Sequence, residues 1–445
     1  MKIYCTVLLI FLSCYIFAQN AQKIEINKQY PDITINKRAT FTCAVHLEKS
    51  AMYEISVMQK GIDVVVTLSD WSNKSIREQD TPNGQNGPEN FDFSPTETGN
   101  YKLAIKRLEE TGNPEEGKIS INIKKLTKAE AHAKSIMKKE LAEENKKNVL
   151  TLDIDHFWEA FDNLKDCKTH ADSVDTFQKK YLDRATDGLI DFSRVRDFSA
   201  EKFVSAVSHY PKFYNSIRQN TYEVKKAEPL IEEVFKRFKE LYANFKPFKV
   251  CFAIGILSSG GTVSQNFVLI GTEITTSTSS VDLSEFNNNA FSKVLAGQDS
   301  IVQKIKNIVA HESVHTQQKT SLDSNAVGCP LLTDIMLEGF CDFIGELTVG
   351  GQINKTNTSY GDSHEKELWQ HLKSEMCSDS TGHWLYNYGT VKDKPADLGY
   401  YMGYEIAKEY YKHASDQKQA IIDIIEVDDP LKFLLLSRYD QKEKK

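Results

Sequence analysis

Residues 311–315 read His311-Glu312-Ser313-Val314-His315, and their spacing indicates both a local structure and a chemistry. Residues four apart on an α-helix are rotated by only about 40° from one another, so the two histidines project from the same face. Two imidazoles one turn apart can bind one metal ion. Glu312 lies beside the first histidine, where it can take a proton from a metal-activated water without being a ligand. The segment therefore predicts a helix that carries half of a metal site.

The residues that precede the motif favour this helix. Asp299 and Ser300 are both residue types that cap the start of a helix. Ile301, Ile305 and Ile308 then repeat with the helical period, which the histidines continue. The alternative is an ordinary pair of core or surface histidines. Because chance supplies roughly 0.02 such motifs in a chain of this composition, the metal interpretation is preferred.

A second helix is predicted downstream, with Thr333 as its first cap and Gly350-Gly351 as its stop. Glu338 and Asp342 lie one turn apart on it. Catalytic zinc usually takes three protein ligands, so Glu338 is the predicted third ligand and Asp342 the carboxylate that orients a ligating imidazole. Alternatively, both acids lie on a solvated helix face. The apolar residues that flank them argue against that alternative, because unpaired buried acids are costly.

These residues resemble the gluzincin class of metallopeptidases, whose pattern is a His-Glu-x-x-His helix followed by a second helix with Glu-x-x-x-Asp. The likeness extends to a bacterial family of predicted zinc-dependent proteases, which residues 254–263 with 269–273, 384–387 and 394–404 also resemble. The similar segments cover most of residues 245–415 and follow the same order as in that family. The resemblance implies a zincin-like fold, a Zn²⁺ cofactor and hydrolysis of peptide bonds in a peptide or protein substrate.

Two short apolar runs, residues 249–255 and 267–271, are bounded by glycine and serine as buried strands are. They are predicted to form a hairpin or a neighbouring pair of strands just before the metal helix. The resemblance implies that a sheet edge here holds the substrate backbone in extended form. The alternative is a pair of core strands without substrate contact.

Peptide hydrolysis also requires a group that stabilises the oxyanion, and tyrosine or histidine usually supplies it beside the metal. Tyr400, which follows Gly399 at a predicted helix start, is the preferred candidate. His364, His371 and His383 are alternatives because they too lie downstream of the metal helices. In the expected mechanism, Glu312 acts as the general base on a zinc-activated water and then passes the proton to the leaving amine.

Residues 22–125 have a different pattern from the rest of the chain. Short alternating runs separated by Gly, Pro, Asn and Asp predict an antiparallel β-sandwich of about 100 residues. Residues 91–101 resemble the final hairpin of the small β-sandwich modules found beside secreted bacterial peptidases. The predicted strands are residues 33–35, 53–57, 64–68, 101–105 and 119–123. This region is interpreted as an accessory domain without a catalytic cluster.

The predicted organisation is therefore multidomain: an all-β sandwich followed by an α+β zincin-like metallopeptidase domain. Residues 1–18 combine an early lysine with an apolar run and end in Ala18, as a secretory signal does. Lipidation at Cys14 is an alternative. Residues 126–150, rich in Lys, Glu and Ala, predict a helical linker, and residues 151–445 the catalytic domain. The six cysteines outside the signal are scattered, and their pairing stays open.

The net charge of −7 argues against a nucleic-acid partner. No segment after the signal has the length and apolarity of a membrane span, so a periplasmic or secreted protein is expected. Oligomeric state is left open. Two rival functions remain at this stage: a hydrolase of another amide or of one partner protein, and a non-catalytic exported surface-binding protein with a structural zinc site.

Overall fold

The computed structural model describes residues 22–81, 83–287, 289–319 and 329–442. The chain divides into two compact units, with the division after His132. As the sequence predicts, an all-β region over residues 22–125 is followed by a helical α+β region. The predicted secretory signal, residues 1–18 with Cys14, lies outside the described residues. Within the described ranges, no helix is both long enough and apolar enough to cross a membrane.

The first unit is a sandwich of two β-sheets. One sheet has the strand order β1-β3-β8-β5-β6 and the other β2-β9-β4-β7, and apolar residues from both form one core. The strands pair antiparallel except for the short β1 with β3. Their bounds are β1 (Gln22–Lys23), β2 (Gln29–Asn36), β3 (Phe41–Leu47), β4 (Tyr53–Lys60), β5 (Val64–Ser69), β6 (Ser75–Gln79), β7 (Asn86–Phe93), β8 (Gly99–Arg107) and β9 (Glu116–Lys125).

The strands around residues 91–101 do not pair as the predicted hairpin. β7 pairs with β4, whereas β8 pairs with β3 and β5 in the opposite sheet. The segment between them therefore crosses from one sheet to the other. The Tyr101 hydroxyl donates a hydrogen bond to the Glu97 carbonyl at 2.9 Å, which stabilises this crossing segment. Alternation along a strand shows which side chains face inward but not which strand lies beside it.

Helix α1 crosses the division between the units, and the described residues of the second unit form one four-stranded sheet with helices around it. The elements are α1 (Lys128–Glu144), β10 (Val149–Leu150), α2 (Leu152–Asn163), α3 (His170–Lys180), α4 (Asp187–Arg196), α5 (Ala200–His209), α6 (Pro211–Thr221), α7 (Glu228–Leu241), β11 (Lys249–Ala253), β12 (Gly261–Val263), β13 (Phe267–Gly271), α8 (Thr272–Thr275), α9 (Ala290–Leu295), α10 (Ile301–His315), α11 (Pro330–Val349), α12 (Lys355–Glu375), α13 (Leu398–His413), α14 (Gln417–Ile425) and α15 (Pro430–Ser437). The segment expected to be a helical linker thus ends in a strand, because β10 pairs with β11.

The sheet has the order β10-β11-β13-β12, with β12 at its edge. β11 and β13 are neighbours, as the sequence predicts, and both are almost wholly buried. They run parallel, so the hairpin alternative is wrong. The hairpin forms instead between β12 and β13, because the intervening segment contains a third strand that pairs antiparallel with β13. Strands buried on both faces show continuous apolar runs, from which direction cannot be read.

Helices α10 and α11 carry the motif residues. The Ser300 hydroxyl accepts from the Gln303 amide at 3.2 Å, which confirms the predicted cap of α10. α11 begins at Pro330, three residues before the predicted cap Thr333, whose hydroxyl instead donates to the Cys329 carbonyl. Proline suits a first helical position because an N–H at that position would have no hydrogen-bond partner within the helix. The helix ends at Gly350, which has a φ of 74°, as predicted.

Helices α11 and α13 approach each other backbone to backbone. A Cβ at Gly339 would lie 2.3 Å from the Tyr404 nitrogen, and one at Gly403 would lie 2.0 Å from the Ile335 carbonyl oxygen. Only glycine tolerates this approach at both positions. The close packing brings the first turn of α13, which contains Tyr400, against His311 of α10.

Candidate metal centre

The structure brings His311, His315 and Glu338 together in a mostly buried cluster. One carboxylate oxygen of Glu338, Oε2, lies 3.4 Å from His311 Nε2 and 3.3 Å from His315 Nε2. Side-chain exposure is 8% for His311, 20% for His315 and 13% for Glu338. The residues come from facing helices, α10 and α11, and their side chains converge because each lies on the inward face of its helix. Each histidine therefore presents its Nε2 atom to the same Glu338 oxygen.

The opposite ring nitrogens of both histidines are held by hydrogen bonds. His311 Nδ1 lies 2.8 Å from Asp342 Oδ1, and an ionised carboxylate can only accept, so Nδ1 donates. His315 Nδ1 lies 2.8 Å from Gln318 Oε1. The Gln318 amide is oriented because its Nε2 donates to the Leu337 carbonyl at 2.9 Å. Each Nδ1 thus carries the ring proton in the neutral imidazole, and each Nε2 lone pair faces Glu338.

Burial and pairing act in opposite directions on these groups. Burial lowers the pKa of His311, but hydrogen bonds to Asp342 and Glu338 outweigh it and raise that pKa well above its usual range. Burial likewise lowers the pKa of His315, but the Glu338 charge outweighs burial, so the pKa of His315 is raised. For Glu338 the sign is reversed: burial raises the pKa, but the two histidines hold it well below its usual value. The three side chains stabilise one another electrostatically.

The separations between Glu338 and the two histidines match those between ligands of zinc. A tetrahedral Zn²⁺ with bonds of about 2.0–2.1 Å separates its ligand atoms by about 3.3 Å, which is the spacing of the Glu338 oxygen from both Nε2 atoms. Two histidines and a glutamate are also the protein ligands of one group of catalytic zinc sites. Carboxylate and amide partners behind the imidazoles complete the arrangement.

Cys341 is a further group that the sequence left without a role. Its sulfur lies within 4.8 Å of a donor atom of both His311 and His315. The thiol is buried, which raises its pKa well above the usual range, and it hydrogen-bonds with Gln318, the residue that supports His315 Nδ1. Cys341 and Glu338 are therefore both candidates for the third ligand beside the two histidines.

Glu312, the predicted base, is buried beside the edge strand of the sheet. Burial raises its pKa, partly offset by the charges of His311 and His315. A Cβ at Gly261, the first residue of β12, would lie 2.4 Å from Glu312 Oε1, so the carboxylate touches the strand backbone. Arg196 Nη2 donates to the Gly261 carbonyl at 3.5 Å and lowers the pKa of Glu312 slightly. The carboxylate therefore lies between the histidines and a strand edge.

Two tyrosines lie at the cluster, and the sequence identified one of them. Tyr400, the predicted candidate, stacks its ring on His311 with centroids 5.8 Å apart and an interplanar angle of 25°. Tyr386 was not predicted as a site residue, yet its hydroxyl donates to Glu338 Oε1 at 2.8 Å. The residue is nevertheless 68% exposed. Its hydroxyl is thus directed at the cluster from the solvent side.

The backbone around Tyr386 is held in an uncommon conformation. Tyr386 has a φ of 57°, which a bulky side chain rarely adopts. Asn387 and Asp397 fix it by exchanging two hydrogen bonds, Asn387 N to Asp397 Oδ1 at 3.1 Å and Asp397 N to Asn387 Oδ1 at 2.9 Å. Strained residues concentrate at functional sites. The one sequence signal for Tyr386 was the family resemblance of residues 384–387.

The three alternative histidines have partners of their own. His364 stacks on Tyr360 with centroids 4.0 Å apart. His371 and His383 both contact Glu375 at 3.1 Å. The structure therefore groups His371 and His383 with each other rather than with His311.

Comparison with known proteins bears on the second unit. Residues 276–428 match the model of a family described as "Predicted Zn-dependent protease (DUF2268)". The matched range contains His311, His315, Glu338 and both tyrosines, whereas β10 to β13 precede it. The predicted resemblance to zinc-dependent proteases is confirmed over this range.

Among solved structures, the pre-peptidase C-terminal domain of a collagenase from Bacillus anthracis is similar to part of the chain. The two are 21% identical, the match covers 23% of this chain and 93% of that domain, and the TM-score is 0.18. No curated protein matches the chain.

Proposed function

We propose that the chain is an exported zinc-dependent peptidase whose metal is held by His311, His315 and Glu338. The observation that carries the proposal is the position of two Nε2 atoms, 3.4 and 3.3 Å from the same Glu338 oxygen, with both Nδ1 atoms satisfied behind them. Asp342 and Gln318 orient the imidazoles. The match to a family of predicted zinc-dependent proteases supports the same assignment. Export is proposed from the composition of residues 1–18.

Zn²⁺ bound there supplies a Lewis acid that polarises a peptide carbonyl and lowers the pKa of water. Glu312 accepts the proton from the attacking water and returns it to the leaving amine. Its burial raises its pKa, which moves a carboxylate toward the range in which it can both take and give a proton near neutral pH. Its position against Gly261 fixes the carboxylate beside the reacting carbonyl.

Tyr386 and Tyr400 have different roles in this proposal. The Tyr386 hydroxyl, on the solvent side of Glu338, donates a hydrogen bond to the oxyanion as it forms. The Tyr400 ring packs on His311 and maintains the imidazole orientation, and its hydroxyl is the second candidate donor. An exposed side chain can shift its hydroxyl from Glu338 to a substrate, whereas a stacked ring is restricted by its neighbours.

The substrate backbone is proposed to lie along β12. This strand is at the sheet edge, and its first residue touches Glu312. An extended peptide that adds to the edge binds through main-chain hydrogen bonds, which tolerate many side chains. A carbonyl of that peptide then lies close to both the base and the metal ligands.

A second candidate function is a non-catalytic protein with a structural zinc site. Cys341 favours it, because a sulfur within 4.8 Å of both histidine donors is a possible fourth ligand. Structural zinc sites are closed by four protein ligands, whereas catalytic sites keep one position for water. The Cys341 thiol also hydrogen-bonds with Gln318, so it has a protein partner without a metal, and we therefore prefer the catalytic function.

Zinc analysis combined with cleavage of a mixed peptide library tests the proposal. Wild type is expected to contain zinc and to cleave, Glu312→Gln to keep zinc and lose cleavage, and Glu367→Gln, at an exposed position of α12, to behave as wild type. A zinc-free wild type, or full cleavage by Glu312→Gln, contradicts it. Zinc retention without cleavage in the wild type supports the structural alternative.

A further inference from the structure

A second cluster of metal-ligand side chains lies outside the site described above. His371 and Glu375 are one turn apart on α12, and His383 comes from the segment that follows this helix. His371 Nε2 lies 3.1 Å from Glu375 Oε1, and His383 Nδ1 lies 3.1 Å from the same oxygen. All three donor atoms are within 4.8 Å of one another. Two ring nitrogens from separate segments are therefore directed at one carboxylate oxygen.

The spacing of this cluster is that of a zinc ligand set. Tetrahedral zinc separates its ligand atoms by about 3.3 Å, and both nitrogen–oxygen separations here are 3.1 Å. Trp384 Nε1 donates to Glu375 Oε2 at 2.9 Å and holds the carboxylate in place. His383 is 70% exposed along its side chain, which leaves room for water to complete the coordination.

An ordinary helix pair elsewhere in the chain shows what distinguishes this cluster. His413 Nε2 lies 2.7 Å from Glu409 Oε1 with the same spacing of four residues. The third group at Glu409 is Lys412, a cation that competes with a metal rather than binding it. At Glu375 the third group is a second imidazole, which is a metal ligand when neutral.

The cluster is connected to the candidate metal centre through one short segment. Trp384, next to His383, is bonded to Glu375, and Asn387 is bonded to Asp397. Tyr386 lies between these two anchors with its hydroxyl on Glu338. The Trp384 and Leu385 amides both donate to the Thr381 carbonyl at 2.8 Å. A metal that joins His383 to α12 thus fixes one end of the segment that carries Tyr386.

We propose that His371, Glu375 and His383 form a second Zn²⁺ site, which stabilises the segment of residues 381–387 and with it the position of Tyr386. The site does not depend on the proposed peptidase function, because none of its ligands belongs to the first cluster. Nitrogen ligands favour Zn²⁺ over Ca²⁺ and Mg²⁺, which prefer oxygen.

Zinc stoichiometry of the full chain tests the site. Wild type is expected to bind two equivalents of Zn²⁺, the double variant His371→Ala/His383→Ala one, and His311→Ala/His315→Ala one. His413→Ala, the matched control, is expected to bind two. Both histidines of the second cluster are exposed, so their removal leaves the fold intact. If His371→Ala/His383→Ala binds as much zinc as the wild type, the second site is overturned while the first is untouched. If instead His311→Ala/His315→Ala binds as much as the wild type, the zinc site of the proposed peptidase is overturned and the second site stands.

Hydrogen exchange tests the effect on the segment. In His311→Ala/His315→Ala, where only the second site remains, Zn²⁺ is expected to slow exchange of the Trp384 and Leu385 amides at least several-fold. Ca²⁺ added at the same concentration is expected to have no effect. His371→Ala/His383→Ala should show no slowing with Zn²⁺. Zinc binding that leaves these amides unchanged overturns the stabilising role of the site.

Discussion

The Tyr386 hydroxyl donates a hydrogen bond to Glu338 Oε1 at 2.8 Å, although the tyrosine is 68% exposed and the two residues are 48 positions apart. The other Glu338 oxygen faces the Nε2 atoms of His311 and His315. Glu338 therefore connects the proposed metal ligands with a side chain that solvent, and by extension a substrate, can reach. This hydrogen bond is the reason for assigning Tyr386 a role in the proposed mechanism.

Tyr386→Phe is expected to lower kcat about 100-fold with little change in KM, because one donor to the oxyanion is removed. Zinc content should stay at the wild-type value, since the hydroxyl is not a ligand. Steady-state kinetics on a peptide substrate and metal analysis provide the two readouts.

Tyr400→Phe is the matched control for that change. It keeps the ring that stacks on His311 and is expected to retain most of the activity. If kcat falls in Tyr400→Phe and stays normal in Tyr386→Phe, Tyr400 rather than Tyr386 donates to the oxyanion.

Gly261→Ala is expected to reduce kcat by at least tenfold, because the new Cβ would lie 2.4 Å from Glu312 Oε1 and displace the base. Gly260→Ala is its control, since the nearest atom to a Cβ there is Ile274 Cγ2 at 3.4 Å. Both variants should unfold at similar temperatures. Equal kcat values for the two variants would show that catalysis does not depend on the contact between the Glu312 carboxylate and β12.

Asp342→Ala is expected to weaken zinc binding about 10–100-fold, because His311 loses the partner that orients its ring. Asp342→Asn keeps an oxygen at the same place and should recover part of the affinity. Zinc titration against a competing chelator measures both. An unchanged affinity in Asp342→Ala would mean that His311 is not a ligand or is oriented by other groups.

The buried carboxyl group of Glu273 is expected to make the stability of the fold depend on pH. It is fully buried and accepts from the Gly255 and Leu257 amides, and burial raises its pKa from 4.5 to about 7. A raised carboxyl pKa gives stability that is complete below pH 4.5 and is lost as the pH rises through 7. The shift corresponds to roughly 3 kcal/mol.

In Glu273→Gln the free energy of unfolding is therefore expected to fall less between pH 4.5 and 7 than in the wild type. Urea denaturation at several pH values measures this. The difference between the variant and the wild type should change by up to roughly 3 kcal/mol over this range. Glu367→Gln, at an exposed carboxylate, should give a curve parallel to the wild type. Parallel curves for Glu273→Gln as well would contradict the burial of an ionisable carboxyl there.

Those parts of the candidate site that show a periodic pattern of residues could be predicted from the sequence. His311 with His315, and Glu338 with Asp342, are each one turn apart, and helical spacing alone places each pair on one face. The strands β11 and β13 were likewise visible as apolar runs. Such patterns are local, so a single sequence contains them.

Tyr386 was not predictable in this way, because its place depends on distant contacts. Its positive φ is held by Asn387 and Asp397, and its partner Glu338 lies on another helix. The parallel direction of β11 and β13 was hidden for a similar reason, since strand direction depends on the connection between strands. The start of α11 at Pro330 was misplaced because Thr333 is equally typical of a cap and of a first turn.

Anomalous scattering at the zinc edge from crystals of the purified protein would show directly whether His311, His315 and Glu338 bind zinc. We expect a peak about 2.0–2.2 Å from the Nε2 atoms of His311 and His315 and from the Glu338 carboxylate, with one coordination position free of protein. A structure without zinc at this point, or one with the Cys341 sulfur as a fourth ligand, would contradict it.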